Sequence, residues 1–374
     1  LIKKNNISDT RIVNLDFLRG FFVVLAMFEH YSFFLSKWYI ENFKEFAAVK
    51  TTYISHFAYL GKSLPADKVL FILGAIFIPW VSQVYLALAS FNIAKNTQEK
   101  LKENIGPKAK MLLVLLGIFY VENFLVSYDF GQAISFYPIM LWMVVLLVIN
   151  LVYAYSGVKG VVFLTFISLT RFMFPMEAIS DGFENMMKIY VHPSFDYDAR
   201  IEYFITSGCI GFLLGYLHHQ KKETANRKDL ILFVLGLFLV VIYYIFPNEF
   251  LLDAHNAYHY EHEHAKTILG SLYLWGIEIS VISLFLYLER KNIKFNSKFF
   301  NWVGYNSLFI FLCHKLFFLR IVMPITLFIY AQLGWGLSVT FYEMISYTLI
   351  VLFMCWVCLK FKIATLITRE DKVN

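Results

Sequence analysis

Apolar runs of bilayer length recur along the chain at 15–37, 69–93, 111–127, 135–155, 160–176, 201–217, 230–247, 267–288, 299–319 and 338–359. A helix needs about 20 apolar residues to cross a hydrocarbon core, so this pattern predicts an all-α, polytopic helical bundle with about ten transmembrane helices. An eleventh run, 321–335, contains Pro324 and is flanked by Arg320 and "GWG". At this length it reads as a re-entrant piece or a short extra helix. No repeat, low-complexity stretch or linker divides the chain, which predicts one integral-membrane domain over residues 1–374.

Composition agrees with that pattern: 59% of positions are hydrophobic and 16% charged, where soluble domains are nearer half and a quarter. The first apolar run follows Lys3, Lys4 and Arg11 and lacks a small-residue cleavage site, so it reads as a retained first helix.

Placing the charges orients the bundle. The segments "KNTQEKLKENIGPKAK" (95–110), "HHQKKETANRKD" (218–229) and "ERKNIKFNSK" (289–298) and the tail "KFKIATLITREDK" are basic, whereas 128–134, 177–200 and 248–266 carry only Lys188, Arg200 and Lys266. The positive-inside rule then predicts that both termini are cytoplasmic. Residues 38–68, with Lys44, Lys50, Lys62 and Lys68, depart from it. The net charge of +6 is thus a topology signal, and nucleic acid is not an expected partner. Cys209, Cys313, Cys355 and Cys358 all lie within apolar runs and read as packing residues, with neither disulfide nor metal site expected.

Against this background the ionisable groups inside "NLDFLRGFFVVLAMFEH" (14–30) demand an explanation, because each intramembrane charge costs several kcal/mol unless it is paired, hydrated or used. Asp16 and Arg19 are three apart and share a helix face. They read as an ion pair fixing the entry of helix 1, or as a contact for an anionic cytosolic ligand. His30 lies eleven residues on, about 16 Å deeper, next to Glu29. Glu122 and Arg171 read as a structural ion pair, and Glu278, His314 and Lys315 add further buried polarity. In "DAHNAYHYEHEHAK", His255, His259 and His262 fall at helical spacing with His264 following. Metal binding, acceptor binding and a solvated loop are all open there.

Leu15, Asp16, Arg19, Gly20 and His30 resemble the opening of the transmembrane acyltransferase superfamily, whose first helix begins Leu-Asp-x-x-Arg-Gly and carries a polar residue about ten positions later. "NWVGYNSLFIFLCH" (301–314) is similar to a late signature of that superfamily, matched by Gly304, Asn306, Ser307, Leu308 and His314. "HFAYLGKSLPADKVLF", with His56, Gly61, Ala66 and Asp67, resembles the heparan-alpha-glucosaminide N-acetyltransferase-like branch. There the loop His is catalytic, while acyltransferase type 3 proteins use the helix 1 His. The Arg-x-x-Arg motif of that second branch is absent.

The resemblance implies an enzyme that moves an acyl group, usually acetyl, from cytosolic acyl-CoA to an external or lipid-linked glycan hydroxyl or amine. His30 or His56, with Glu29, would be catalytic, as general base or acyl acceptor. Asp16, Arg19, Asn306, Ser307 and His314 would serve the acyl donor, and Tyr305 joins Asn306 and Ser307 as a candidate oxyanion donor by location. The expected partners are acyl-CoA, the sugar acceptor and the bilayer of a bacterial inner membrane, with a homodimer left open. The alternative reading is a secondary transporter of a small anion or a proton-coupled solute, which would call for inverted repeats.

Overall fold

The computed structural model describes residues 12–42, 68–77, 79–135, 138–174, 176–195, 200–220, 225–246, 261–333 and 340–360. His56, Ala66, Asp67, His255 and His259 lie outside them. Among the described residues the chain is helical throughout, without strands.

In chain order the helices are α1 (Val13–Asn42), α2 (Lys68–Phe77), α3 (Val81–Phe91), α4 (Gln98–Glu103), α5 (Ile105–Ser127), α6 (Phe130–Ile134), α7 (Pro138–Leu169) and α8 (Met176–Tyr190). They continue with α9 (Ile201–Gln220), α10 (Ala225–Ile245), α11 (Glu261–Lys266), α12 (Ile268–Arg290), α13 (Lys298–Tyr305), α14 (Ser307–Phe317), α15 (Met323–Leu333) and α16 (Phe341–Lys360). A 3-10 turn, Asn92–Lys95, follows α3, and a π-helical segment, Phe318–Val322, joins α14 to α15.

Local chemistry sets many of the starts. Thr97, Asp129, Thr267 and Ser297 each accept a hydrogen bond from the backbone N–H three residues on, satisfying a donor that the first helical turn leaves open. Thr340 and Glu343 form a reciprocal capping box: Glu343 accepts from the Thr340 N–H at 2.8 Å, and the Thr340 hydroxyl accepts from the Glu343 N–H at 3.2 Å.

Six helical stretches among the described residues are long and apolar enough to cross a membrane: Ile105–Ser127, Phe130–Phe172, Arg227–Ile245, Ile268–Arg290, Ser307–Leu333 and Phe341–Lys360. The chain is therefore read as an integral membrane protein. The predicted run 69–93 is divided into α2 and α3 around Pro79 and Trp80. The Phe130–Phe172 stretch holds two arms, because Gly157 adopts φ 65° and ψ −163° inside α7, a conformation open to glycine.

The expected boundary near residue 320 is corrected. Runs 299–319 and 321–335 are not separate elements; the helix breaks at Asn306 instead, and Ser307–Leu333 is continuous. Pro324 lacks the N–H of a regular helical turn, and the wider π-helical segment before it carries the helix past that defect.

Polar contacts define two ends. At the basic end Asn14 donates to the Phe285 and Ile293 carbonyls, and Arg290 bonds both Asp229 and His218. Burial and the adjacent Arg290 push the His218 imidazole, which follows the apolar run 201–217, down to about 3. At the opposite end Arg320 caps the last carbonyls of α5 at Leu125 and Val126, Ser194 bonds Asp129, and Arg200 pairs with Asp181.

Two apolar cores lie between these ends, and α1 serves both. Leu15, Leu18 and Phe22 join the core of α3, α7, α9 and α12, whereas Val23, Met27, Tyr31 and Leu35 join that of α14, the π segment and α16.

Candidate functional site

The two segments singled out by their motifs pack against each other. α1 and the α13–α14 strand of helix run parallel in one register, with partners 284 residues apart. Near the basic end Gly20 meets Gly304. A Cβ at Gly20 would collide with the Phe300 carbonyl oxygen, and one at Gly304 with the Asp16 carbonyl oxygen. Both positions need glycine because backbone, not a flexible side chain, occupies the space.

Ten residues further along each helix, about 15 Å at 1.5 Å per residue, the seam is joined again. His30 Nδ1 lies 2.8 Å from His314 Nε2, with ring centroids 5.1 Å apart. His314 Nδ1 lies 2.9 Å from the Phe311 carbonyl oxygen. A carbonyl only accepts, so His314 carries its proton on Nδ1, and in a neutral ring its Nε2 is the acceptor. His30 must then donate from Nδ1, which makes Nε2 the basic nitrogen of neutral His30. His314 is buried at 1% exposure, whereas His30 is half-buried. Tyr31, stacked on Phe318 at 4.0 Å between centroids, packs the same layer. The π segment begins four residues after His314, and such segments often occur at functional positions.

The layer at Gly20 is built differently. Arg19 bonds Asp16 at 3.0 Å and the Leu88 carbonyl of α3 at 3.0 Å, so its guanidinium is engaged inside the protein. The Ser307 hydroxyl reaches Tyr85 of α3. The Asn306 amide turns back to the Trp302 carbonyl at 2.9 Å, and Tyr305 is 70% exposed. Ser307 and Asn306 thus stand about 10 Å along the helix from His314. Glu29 occupies another face of α1, lining a groove with Leu70, Leu73 and Gly74 of α2.

Of the predicted site residues, the structure brings Asp16 and Arg19 together in one layer with Ser307 nearby, and His30 and His314 together in another. It does not add Glu29 to the imidazole pair, and His56 lies outside the described residues. The direct pairing of His314 with His30 was not expected. The signal for it was the matching interval of ten residues from Gly20 to His30 and from Gly304 to His314.

The other buried charges are reassigned. Glu122 does not pair with Arg171: the cation whose charge acts on it is Lys315 of α14. Arg171 donates to the Glu202 carbonyl and to the Ser271 hydroxyl, the latter at 2.9 Å, with Glu278 nearby. The cause is packing, since α5 contacts α7 and α14 while Arg171 faces α9 and α12. Of the 255–264 cluster, His262 and His264 lie in α11, and His264 is buried against Tyr243 and Tyr273.

No protein-family model, curated protein or solved structure matches this chain. The resemblance carried by residues 14–30 and 301–314 therefore rests on those residues alone.

Proposed function

We propose that the protein is an acyl-CoA-dependent membrane acyltransferase, probing its donor from the cytosol and acylating an external or lipid-linked glycan hydroxyl or amine. One observation carries the reading: two motif segments distant in sequence meet in register and join a half-buried imidazole to a buried one. The finer topology belongs to the same proposal. Cytoplasmic termini fit the gathering of basic segments at one end, about ten spans are carried over from the apolar runs, and a bacterial inner membrane from the resemblance.

In this mechanism His30 Nε2 takes the proton of the acceptor hydroxyl or amine as that group attacks the thioester carbonyl. The tetrahedral intermediate collapses with cleavage of the C–S bond, and imidazolium His30 returns the proton to the CoA thiolate. The product is the acylated acceptor plus free thiol. His314 is a positioning residue: its Nε2 lone pair holds the His30 Nδ1–H, fixes the tautomer and steadies the imidazolium. The Asp16–Arg19 pair acts by anchoring α1 to α3.

The test is consumption of labelled acetyl-CoA by the purified protein. His30→Ala is expected to reduce turnover by about a thousandfold, with His56→Ala measured alongside. Unchanged turnover in His30→Ala, with loss in His56→Ala, would move the catalytic role to the loop histidine. Unchanged turnover in both would reject the catalytic assignment.

A further inference from the structure

A second feature lies at the basic end, apart from the imidazole pair. The chain leaves α3 through the 3-10 turn Asn92–Lys95 and enters α4 with Thr97 as its cap. Facing it, α7 reverses at Gly157. Two hydrogen bonds pin these pieces: Gln98 Nε2 donates to the Ala154 carbonyl at 3.3 Å, and the Tyr153 phenol donates to the Asn96 carbonyl at 3.1 Å. A Cβ at Gly157 would stand 2.9 Å from Gln98 Oε1, so the close approach and the positive φ both call for glycine. The last turn of α9, with Tyr216 and His219, forms the third wall.

Between the three walls opens a cleft of about 540 Å³, within the range of small-molecule sites. Lys95 and Lys159 line it together with Asn96, Thr97, Gln98 and His219. None of its twelve described lining residues carries a carboxylate, and the Glu99 carboxylate, which acts on the lining Tyr153, stands outside that set. Concave walls bearing one sign of charge concentrate the field of that sign. The neighbouring histidine registers it: burial, Lys95 and Arg290 together push His219 down to about 4. A neutral His219 still offers a ring N–H to a ligand. Shape, polarity and charge thus agree on a compact anion larger than a simple ion.

We propose that this cleft binds an organic phosphate of nucleotide size, with Lys95 and Lys159 as charge partners and Thr97, Gln98 and His219 as hydrogen-bonding groups. Its assignment to the nucleotide end of the acyl donor rests on the acyltransferase reading; the anion site itself does not. Leu88, whose carbonyl binds Arg19, precedes Lys95 by seven residues, about 10 Å along the chain's helical path. The cleft therefore lies on the basic side of the Asp16–Arg19 layer.

Two sources share this chemistry, a soluble nucleotide and a phospholipid headgroup, and two probes separate them. Adenosine 3′,5′-bisphosphate is titrated calorimetrically into the purified full chain in neutral detergent. The chain is also assembled in nanodiscs with and without phosphatidylglycerol, and co-purifying lipid phosphate is counted. The bisphosphate is expected to bind, and Lys95→Gln with Lys159→Gln to weaken it by at least roughly tenfold, the order of one charge-assisted contact. The Lys95→Arg and Lys159→Arg pair is expected to restore binding, which separates charge loss from misfolding. Lys291→Gln with Lys294→Gln, an equal change of charge outside the cleft, is expected to leave the affinity unaltered. Phosphatidylglycerol retention that depends on the same two lysines, without bisphosphate binding, identifies the headgroup as the source. Affinity unchanged in the double Gln variant, or no binding of either probe, overturns the proposal. Acetyl-CoA turnover in the same samples keeps the two readings separate. Bisphosphate binding without any acyl transfer removes the enzyme and leaves the site. Transfer with an unchanged KM in the double variant leaves the enzyme and removes the assignment of the cleft to its acyl donor.

Discussion

The seam between α1 and α13–α14 closes twice, and the two closures differ in kind. At Gly20 and Gly304 the backbones touch, and no side chain fits between them. At His30 and His314 the same two helices stand far enough apart for two imidazoles. The first contact fixes the register; the second uses it. Motif residues that look alike in a sequence thus divide into groups that hold two helices together and groups that set polar side chains against each other.

Adding a methyl group at the first closure should have the largest effect. Gly20→Ala or Gly304→Ala forces main chain against Cβ, and a loss of about 3 kcal/mol is expected, read as a lowered unfolding midpoint in detergent with activity falling in step. A normal midpoint for either variant would break the close-approach account. At the second closure His314→Asn is expected to leave the midpoint nearly unchanged but lower kcat by about ten- to a hundredfold, the scale of lost orienting contacts, and to shift the pH–rate profile. A variant with reduced KM-dependent binding but wild-type kcat would contradict the positioning role.

A pH prediction tests the basic end independently of the seam. His218 is held at about 3, against an ordinary value near 6.5, by burial and Arg290. The unfolded chain therefore takes up a proton below pH 6.5 that the folded chain refuses, so stability falls as pH falls through that window. From pH 6.5 to pH 5 this group alone removes about 2 kcal/mol, measurable as a lower thermal midpoint. His218→Gln should flatten that dependence. The smallest effect is expected at Tyr305→Phe: the side chain is exposed, and stability should change by no more than about 0.5 kcal/mol with turnover unaltered.

Much of the helical pattern was legible because burial in lipid demands long apolar runs, and the i,i+3 spacing of Asp16 and Arg19 correctly gave their ion pair. The errors have specific causes. Run 321–335, with Pro324, looked like a separate short piece, but a π-helical segment absorbs the missing donor and keeps the helix continuous. Glu122 and Arg171 looked complementary in charge, yet charge does not decide which helices are neighbours. Glu29 lines the α2 groove while His30 meets His314, as expected of helix neighbours about 100° apart. The union of His30 with His314 spans 284 positions, and only the equal spacing from the two glycines hinted at it. The cleft was half legible: Lys95 lies in a basic segment singled out by its charge, whereas Lys159 enters through the Gly157 reversal.

The central claim is that His314 holds His30 with its basic nitrogen at Nε2. Nitrogen-15 NMR of histidine-labelled protein in nanodiscs at neutral pH reads the tautomer directly. Neutral His30 is expected to carry its proton on Nδ1 and to lose that preference in His314→Ala. A His30 ring protonated on Nε2 in the wild-type protein, or one indifferent to the loss of His314, would contradict it.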